Sequence, residues 1–123
     1  MRRAAAAGLL WLAPWMALAA PTPQVRAEIA GLMDALASSP CQFQRNGTWY
    51  QAARAREHLQ RKYDHLLKKN LIDTTAQFIE RAASRSSVSG RAYRVRCPGQ
   101  PDMDAAPWFE QRLRSIRDGG TQP

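Results

Sequence analysis

From Gln24 onward the apolar positions of this chain repeat with two different periods, and the places where one gives way to the other divide it into elements. Between Gln24 and Ala37, the residues Val25, Ile29, Leu32, Met33 and Leu36 fall on one face at helical spacing. Ser38-Ser39-Pro40 ends that helix, because a proline disfavours helical backbone in the residue before it. From Cys41 to Tyr50 the period drops to two, with Asn46-Gly47 at the centre. That dipeptide tolerates the positive φ angles of a two-residue type I′ turn. It predicts a hairpin in which Arg45 faces Thr48, Gln44 faces Trp49 and Phe43 faces Tyr50. Cys41, Phe43 and Tyr50 then share the core face, and Gln42, Gln44 and Trp49 share the other.

A long helical pattern runs next, from Ala52 to Lys69. Its apolar stripe is Ala52, Ala55, Leu59, Tyr63, Leu66 and Leu67, and the opposite side carries Arg54, His58, Arg61, His65 and Lys68. Glu57 and Asp64 stand four residues before Arg61 and Lys68, the spacing of helical ion pairs, so this basic stripe reads first as a solvated face. Asn70 suits a left-handed helix terminator. Thr74 and Gln77 have capping-box spacing for a third helix, Thr75 to Ser84, that buries Ala76, Ile79, Ala82 and Ala83 with Phe78 near its edge. Ser84 to Gly90 is a hydroxyl-rich loop, Ala92 to Cys97 alternates as a third strand, and Pro98 to Ala106 reads as a loop. Pro107 opens a fourth helix whose Trp108, Phe109, Leu113 and Ile116 pack on the core. The expected fold class is α+β: a small single domain of about four helices on a short antiparallel sheet, built from the hairpin 41–50 and the strand 92–97.

Ahead of these elements, Met1-Arg2-Arg3 is a short basic start and Ala4 to Leu18 is an apolar run, while Ala17-Leu18-Ala19 fits the small-residue cleavage rule. This is the pattern of a cleaved signal peptide over 1–19, with the run short of the ~20 residues a bilayer span needs. Cleavage after Ala19 or Ala20 leaves one domain over 20–118, a tail over 119–123 and no membrane span. Export to the periplasm changes what the cysteines mean. In an oxidising compartment Cys41 and Cys97 pair as a disulfide, worth about 4 kcal/mol in the chain-entropy model. There is no Cys-x-x-Cys, and His58 and His65 lie ~10 Å apart along a helix, so neither a metal nor a cofactor is expected. Lys and Arg number 18 against 10 Asp and Glu, a net +8 that falls to +6 once Arg2 and Arg3 are removed. In a Gram-negative-type envelope such a protein meets anionic lipid headgroups, glycans and proteins, and export argues against nucleic acid as a target.

Two constellations carry candidate chemistry. On the outer face of the sheet Trp49 stands beside Arg94 and Arg96, where an aromatic ring among guanidinium groups can stack on a flat anionic partner. We take Arg45, Trp49, Arg94 and Arg96 as the candidate surface, with Ser87, Ser89 and Arg91 at its edge and His58 as a further candidate. The leading expectation is a non-catalytic binding or interaction module for an anionic envelope partner, glycan or protein. The second constellation is a small hydrolase using His58 as base and a loop serine as nucleophile. Such a serine needs the base within hydrogen-bond reach, and neither Gly-x-Ser-x-Gly nor Ser-x-x-Lys is present to mark one.

Longer strings of residues point to relatives. The chain carries Cys41-x-Phe43-x-Arg45-Asn46-Gly47-Thr48-Trp49-Tyr50, His58-Leu59 with Lys62-Tyr63, and Phe78-Ile79-Glu80 followed by Ala83-Ser84-Arg85-Ser86-Ser87. Ser89-Gly90-Arg91, Tyr93, Val95, Cys97 and Trp108 complete the set. In these it resembles the YfeK-like family of short exported proteobacterial proteins, a domain of unknown function. The resemblance implies a periplasmic location and one compact domain, and supplies no activity, cofactor or partner. Ser89-Gly90-Arg91-Ala92-Tyr93 is also similar to the Ser-Gly-x-x-Tyr string of small periplasmic lysozyme inhibitors, in which a loop plugs an acidic cleft; a polar turn leading into a strand has the same composition.

Overall fold

The computed structural model describes Ala20–Gly119, so the expected signal peptide over 1–19 and residues 120–123 of the tail lie outside the described residues. Helix α1 spans Pro23–Ala37. Thr22 caps it, its Oγ1 accepting from the Val25 amide at 3.2 Å, and Pro23 occupies the first helical position, where its missing N–H leaves nothing unsatisfied. The hairpin follows as β1 (Gln42–Arg45) and β2 (Thr48–Gln51), in the register that the Asn46-Gly47 turn dictates. Asn46 and Gly47 have φ of 50° and 84°. Helix α2 (Ala52–Lys68) starts directly from β2 and stops at Asn70, which takes a left-handed φ of 56°.

Helix α3 (Thr75–Ala82) opens with the full capping box of Thr74 and Gln77. Its buried stripe is Thr75, Phe78, Ile79 and Ala82, the i, i+3, i+4, i+7 set. Phe78 is therefore at the centre of the core rather than at its edge, and Ala76, one residue off the stripe, is exposed. Strand β3 is only Arg94–Arg96, flanked by an isolated bridge between Arg85 and Ala92. The stretch expected as a loop contains a fourth strand, β4 (Met103–Asp104), and α4 (Ala105–Arg117) begins two residues before Pro107, which still falls in its first turn. Two residues are too few for alternation to show in a sequence.

The four strands form one antiparallel sheet in the order β2-β1-β3-β4, and the four helices pack against its inner face. Phe43 on that face meets Trp108 of α4 edge-on at 5.3 Å, Trp108 in turn meets Phe109 of the same helix edge-on at 5.0 Å, and Val95 is buried in the same core. Cys41 and Cys97 are joined by a disulfide across the ends of β1 and β3. On the helical side Glu28 is buried at 7% exposure. It accepts from the Thr75 hydroxyl at 2.6 Å and from the Arg117 guanidinium at 2.9 and 3.1 Å, so one carboxylate ties α1, α3 and α4 together. No helix among the described residues is long and apolar enough to cross a membrane.

Candidate functional site

The alternation of β1 separates the residues taken from the sequence as one surface. Arg45 lies two residues beyond Phe43 and so on the inner face, opposite Trp49, Arg94 and Arg96. The outer face is charge-balanced. Arg94 donates to Asp104 at 2.6 Å, and Arg96 makes a two-pronged contact with Asp102 at 3.0 Å. The Arg96 guanidinium also lies 4.0 Å over the Trp49 ring, which is half-buried beneath it. β4 and the loop before it bring in those aspartates, and neither contact could be read while β4 was hidden in a loop. The open aromatic platform expected from the sequence is occupied by the protein's own side chains.

Arg45 instead joins a cleft between the hairpin and α2. Its inner wall is carbon from the core: Leu36, Phe43, Leu59, Ala83 and Phe109. Its outer wall is Tyr50, Arg54, His58 and Arg61 together with Arg45. Both Arg45 and Arg54 stack on the Tyr50 ring, at 5.3 and 5.9 Å, which holds two flexible cations beside one aromatic side chain. Tyr93 reaches the cleft from the start of β3. It is fixed there by its own backbone, its N–H donating to Ser84 O at 2.9 Å and its carbonyl accepting from Ala105 at 2.8 Å.

His58 is half-buried and was misplaced by the helical pattern, which put it on the solvated side of α2. It stands one residue before Leu59 and three after Ala55, the boundary of the apolar stripe, and it turns inward. Its Nε2 lies 3.1 Å from the Tyr93 hydroxyl, while Lys62 Nζ donates to that same oxygen at 3.0 Å and to Arg85 O at 2.7 Å. The assignment that satisfies every group is Lys62 donating to the phenol, the phenol donating to His58 Nε2, and the imidazole proton on Nδ1. Burial, and then Arg45, Lys62 and Arg61, push the imidazole down to about 4. Burial with Arg85 and Arg45 lowers the Lys62 ammonium to about 8, and burial raises the Tyr93 phenol against the pull of Arg45. Every charged side chain acting on this trio is a cation.

No carboxylate among the described residues pairs with them. Among the described residues Arg45, Arg54, Arg61, Lys62 and Arg85 form no ion pair, and the expected Glu57–Arg61 and Asp64–Lys68 pairs do not form. Asp64 accepts from Gln60 Nε2 at 3.0 Å instead. The loop serines are engaged elsewhere. Ser84 donates to Glu80 O at 2.6 Å, Ser86 Oγ accepts from the Val88 and Ser89 amides, and Ser89 donates to Asn46 Oδ1 at 2.6 Å. Ser87 is exposed, and Arg91 lies over the hairpin turn, with both end nitrogens 3.9 Å from where a Cβ on Gly47 would sit. His58 has a tyrosine for its partner, so the serine–base contact a hydrolase requires is not formed. What the arrangement can do is attract and hold an anion. Of its residues, the sequence singles out Arg45 and His58, offers Tyr93 as a candidate group, and sets Arg54 and Arg61 on a basic stripe that reads first as solvated; Lys62 and Tyr50 were missed as site residues because each also looks like an ordinary helix or strand position.

Among known proteins, a model described as a family of unknown function (DUF5329) matches residues 23–117. The uncharacterized protein YfeK of Salmonella typhimurium (strain LT2) is 38% identical over 68 residues, covering 54% of this chain and 55% of the relative. The chain thus spans about half the length of the curated relative it matches. No solved structure matches.

Proposed function

Since the chain belongs to the DUF5329 family of unknown function, we propose on the geometry of the cleft that it is a non-catalytic binding module for an anionic partner in the bacterial envelope. A periplasmic setting is supported by the signal-peptide pattern of residues 1–19 and agrees with the Cys41–Cys97 disulfide. One observation carries the reading. Arg45, Arg54 and Arg61 line a single concave site, with His58 and Lys62 behind them, and among the described residues no acidic side chain pairs with them. Uncompensated cations held close together repel one another, and an anion relieves that repulsion. The sheet's outer face has the same residue types but supplies its own aspartates, so it has less to gain from an outside anion.

The test is an NMR titration of the oxidised domain with sodium sulfate against a sodium chloride control of equal ionic strength. The expected result is saturable movement of the His58 Cε1 and the Arg45, Arg54 and Arg61 Nε signals. The imidazole pKa should rise as sulfate fills the cleft, and all these responses should vanish in Arg45→Ala/Arg54→Ala. Movement confined to Trp49, Arg94 and Arg96, or none beyond the chloride control, would overturn the reading.

A further inference from the structure

Anion binding alone leaves the inner wall of the cleft without a role. Leu36, Ala83 and Phe109 are sealed beneath it, and the accessible carbon there comes from the edges of Phe43 and Leu59 and from the half-buried Ala55 and Tyr50 ring, while the guanidinium groups stand outside them. An inorganic oxyanion would satisfy the cations and leave that wall against water. Water held there has few polar partners, so an apolar group that displaces it gains free energy. The space is small. Its cavity volume is about 60 Å³, well below the ~150 Å³ of a cavity that admits benzene. An aromatic ring is too large and a single methyl leaves room.

We propose that the ligand of this cleft is a carboxylate carrying a short unbranched or singly branched apolar body, about three carbons long. Its carbons lie on the inner wall and its carboxylate among Arg45, Arg54 and Arg61; this rests on the anion-binding reading above. The planar forks of Arg45 and Arg54, held against Tyr50, match a planar carboxylate by paired N–H donors better than they match a tetrahedral ion. Tyr93 fixes the neutral imidazole of His58 beside them, so its Nδ1–H adds a neutral donor. Two sources share this chemistry: a free short-chain acid, and the C-terminus of a peptide ending in a small apolar residue.

The experiment titrates the oxidised domain with acetate, propionate, butyrate, benzoate, N-acetyl-alanine and inorganic phosphate at one ionic strength, following the His58 and arginine signals. Affinity should climb from acetate to butyrate by up to about fourfold per methylene, the value for complete burial, and benzoate should fall below butyrate. Ala55→Leu, which fills part of the cleft from the half-buried wall of α2, should remove the gain of butyrate over acetate. N-acetyl-alanine binding more tightly than butyrate supports the proposal with a peptide C-terminus as source, and the reverse order supports it with a free acid. Equal affinity for acetate and butyrate, or phosphate binding more tightly than butyrate, overturns this inference and leaves the anion site standing. Silence toward every anion removes both.

Discussion

His58 shows how much a single residue's meaning depends on where its ring points. On the surface it would be a neutral-pH switch; in the cleft it is a neutral hydrogen-bond partner of Tyr93, held uncharged by burial and by the surrounding cations Arg45, Lys62 and Arg61. The folded pKa of about 4 lies below the unfolded value of 6.5. Between those pH values the unfolded chain binds the proton and the folded chain does not, so this contribution is fully present above 6.5 and is lost as pH falls toward 4. Urea unfolding measured from pH 7 to pH 4 should therefore show stability already falling near pH 6. His58→Gln should flatten that early slope by on the order of 1 kcal/mol, a figure kept small because water reaches a half-buried ring. Glu28 acts in a lower window. Its hydrogen bonds from Arg117 and Thr75 hold its carboxyl below 4.5, so its contribution is lost only as pH falls through that lowered value. An unchanged pH slope in His58→Gln would mean that the imidazole is not the group that titrates.

The hairpin and the loop from Ser86 to Arg91 behave as one element although forty residues separate them. Asn46 turns the chain at a left-handed φ and uses its amide twice, donating to Ser86 Oγ at 3.4 Å and accepting from Ser89 Oγ at 2.6 Å. Gly47 supplies only backbone freedom, since a Cβ there would meet nothing nearer than Arg91 at 3.9 Å. The two residues should therefore fail differently. Gly47→Ala should cost about 1 kcal/mol through its positive φ and leave the loop ordered. Asn46→Ala should cost about 1–2 kcal/mol and also speed amide hydrogen exchange at Ser86 and Gly90, whose N–H groups close the loop. Equal exchange in both variants would show that the amide does not hold the loop. At this scale much of the fold was legible in the sequence. The turn dipeptide sets the register, the apolar stripes place α1 and α2, and Thr74 with Gln77 marks the start of α3. What was not legible depends on contacts between elements. β4 is too short to carry a period, Phe78 needed the exact end of α3, and Arg45 could be set beside Trp49 only by ignoring the strand alternation that separates them. The cleft itself belongs to no element, since its cations come from β1 and α2 and its Tyr93 from the start of β3.

In the whole molecule two long-range ties hold the layers, and neither of them builds the cleft. Glu28 joins three helices across sequence separations of 47 and 89 residues, and the disulfide closes 56 residues across β1 and β3. A domain of this size is stable by only about 5–10 kcal/mol, so a crosslink that removes unfolded-state entropy over such a loop supplies a large share, about 4 kcal/mol. Its position also limits what it can affect. Cys41 precedes β1, at the end of the strand away from Arg45, and Cys97 follows β3, away from Tyr93. Tyr93 is held by backbone bonds to Ser84 and Ala105, and His58 by Tyr93, all of which survive without the sulfur bridge. Cys41→Ala/Cys97→Ala should therefore unfold at a markedly lower urea concentration, with stability reduced by about 4 kcal/mol. At a temperature where that variant is still folded, its response to sulfate at His58 and Arg45 should match that of the oxidised parent. Loss of that response in the folded variant would mean that the bridge shapes the site as well as stabilising the chain. A small change in stability would mean instead that the unfolded chain keeps Cys41 and Cys97 close together without the bridge, so that the crosslink removes little entropy.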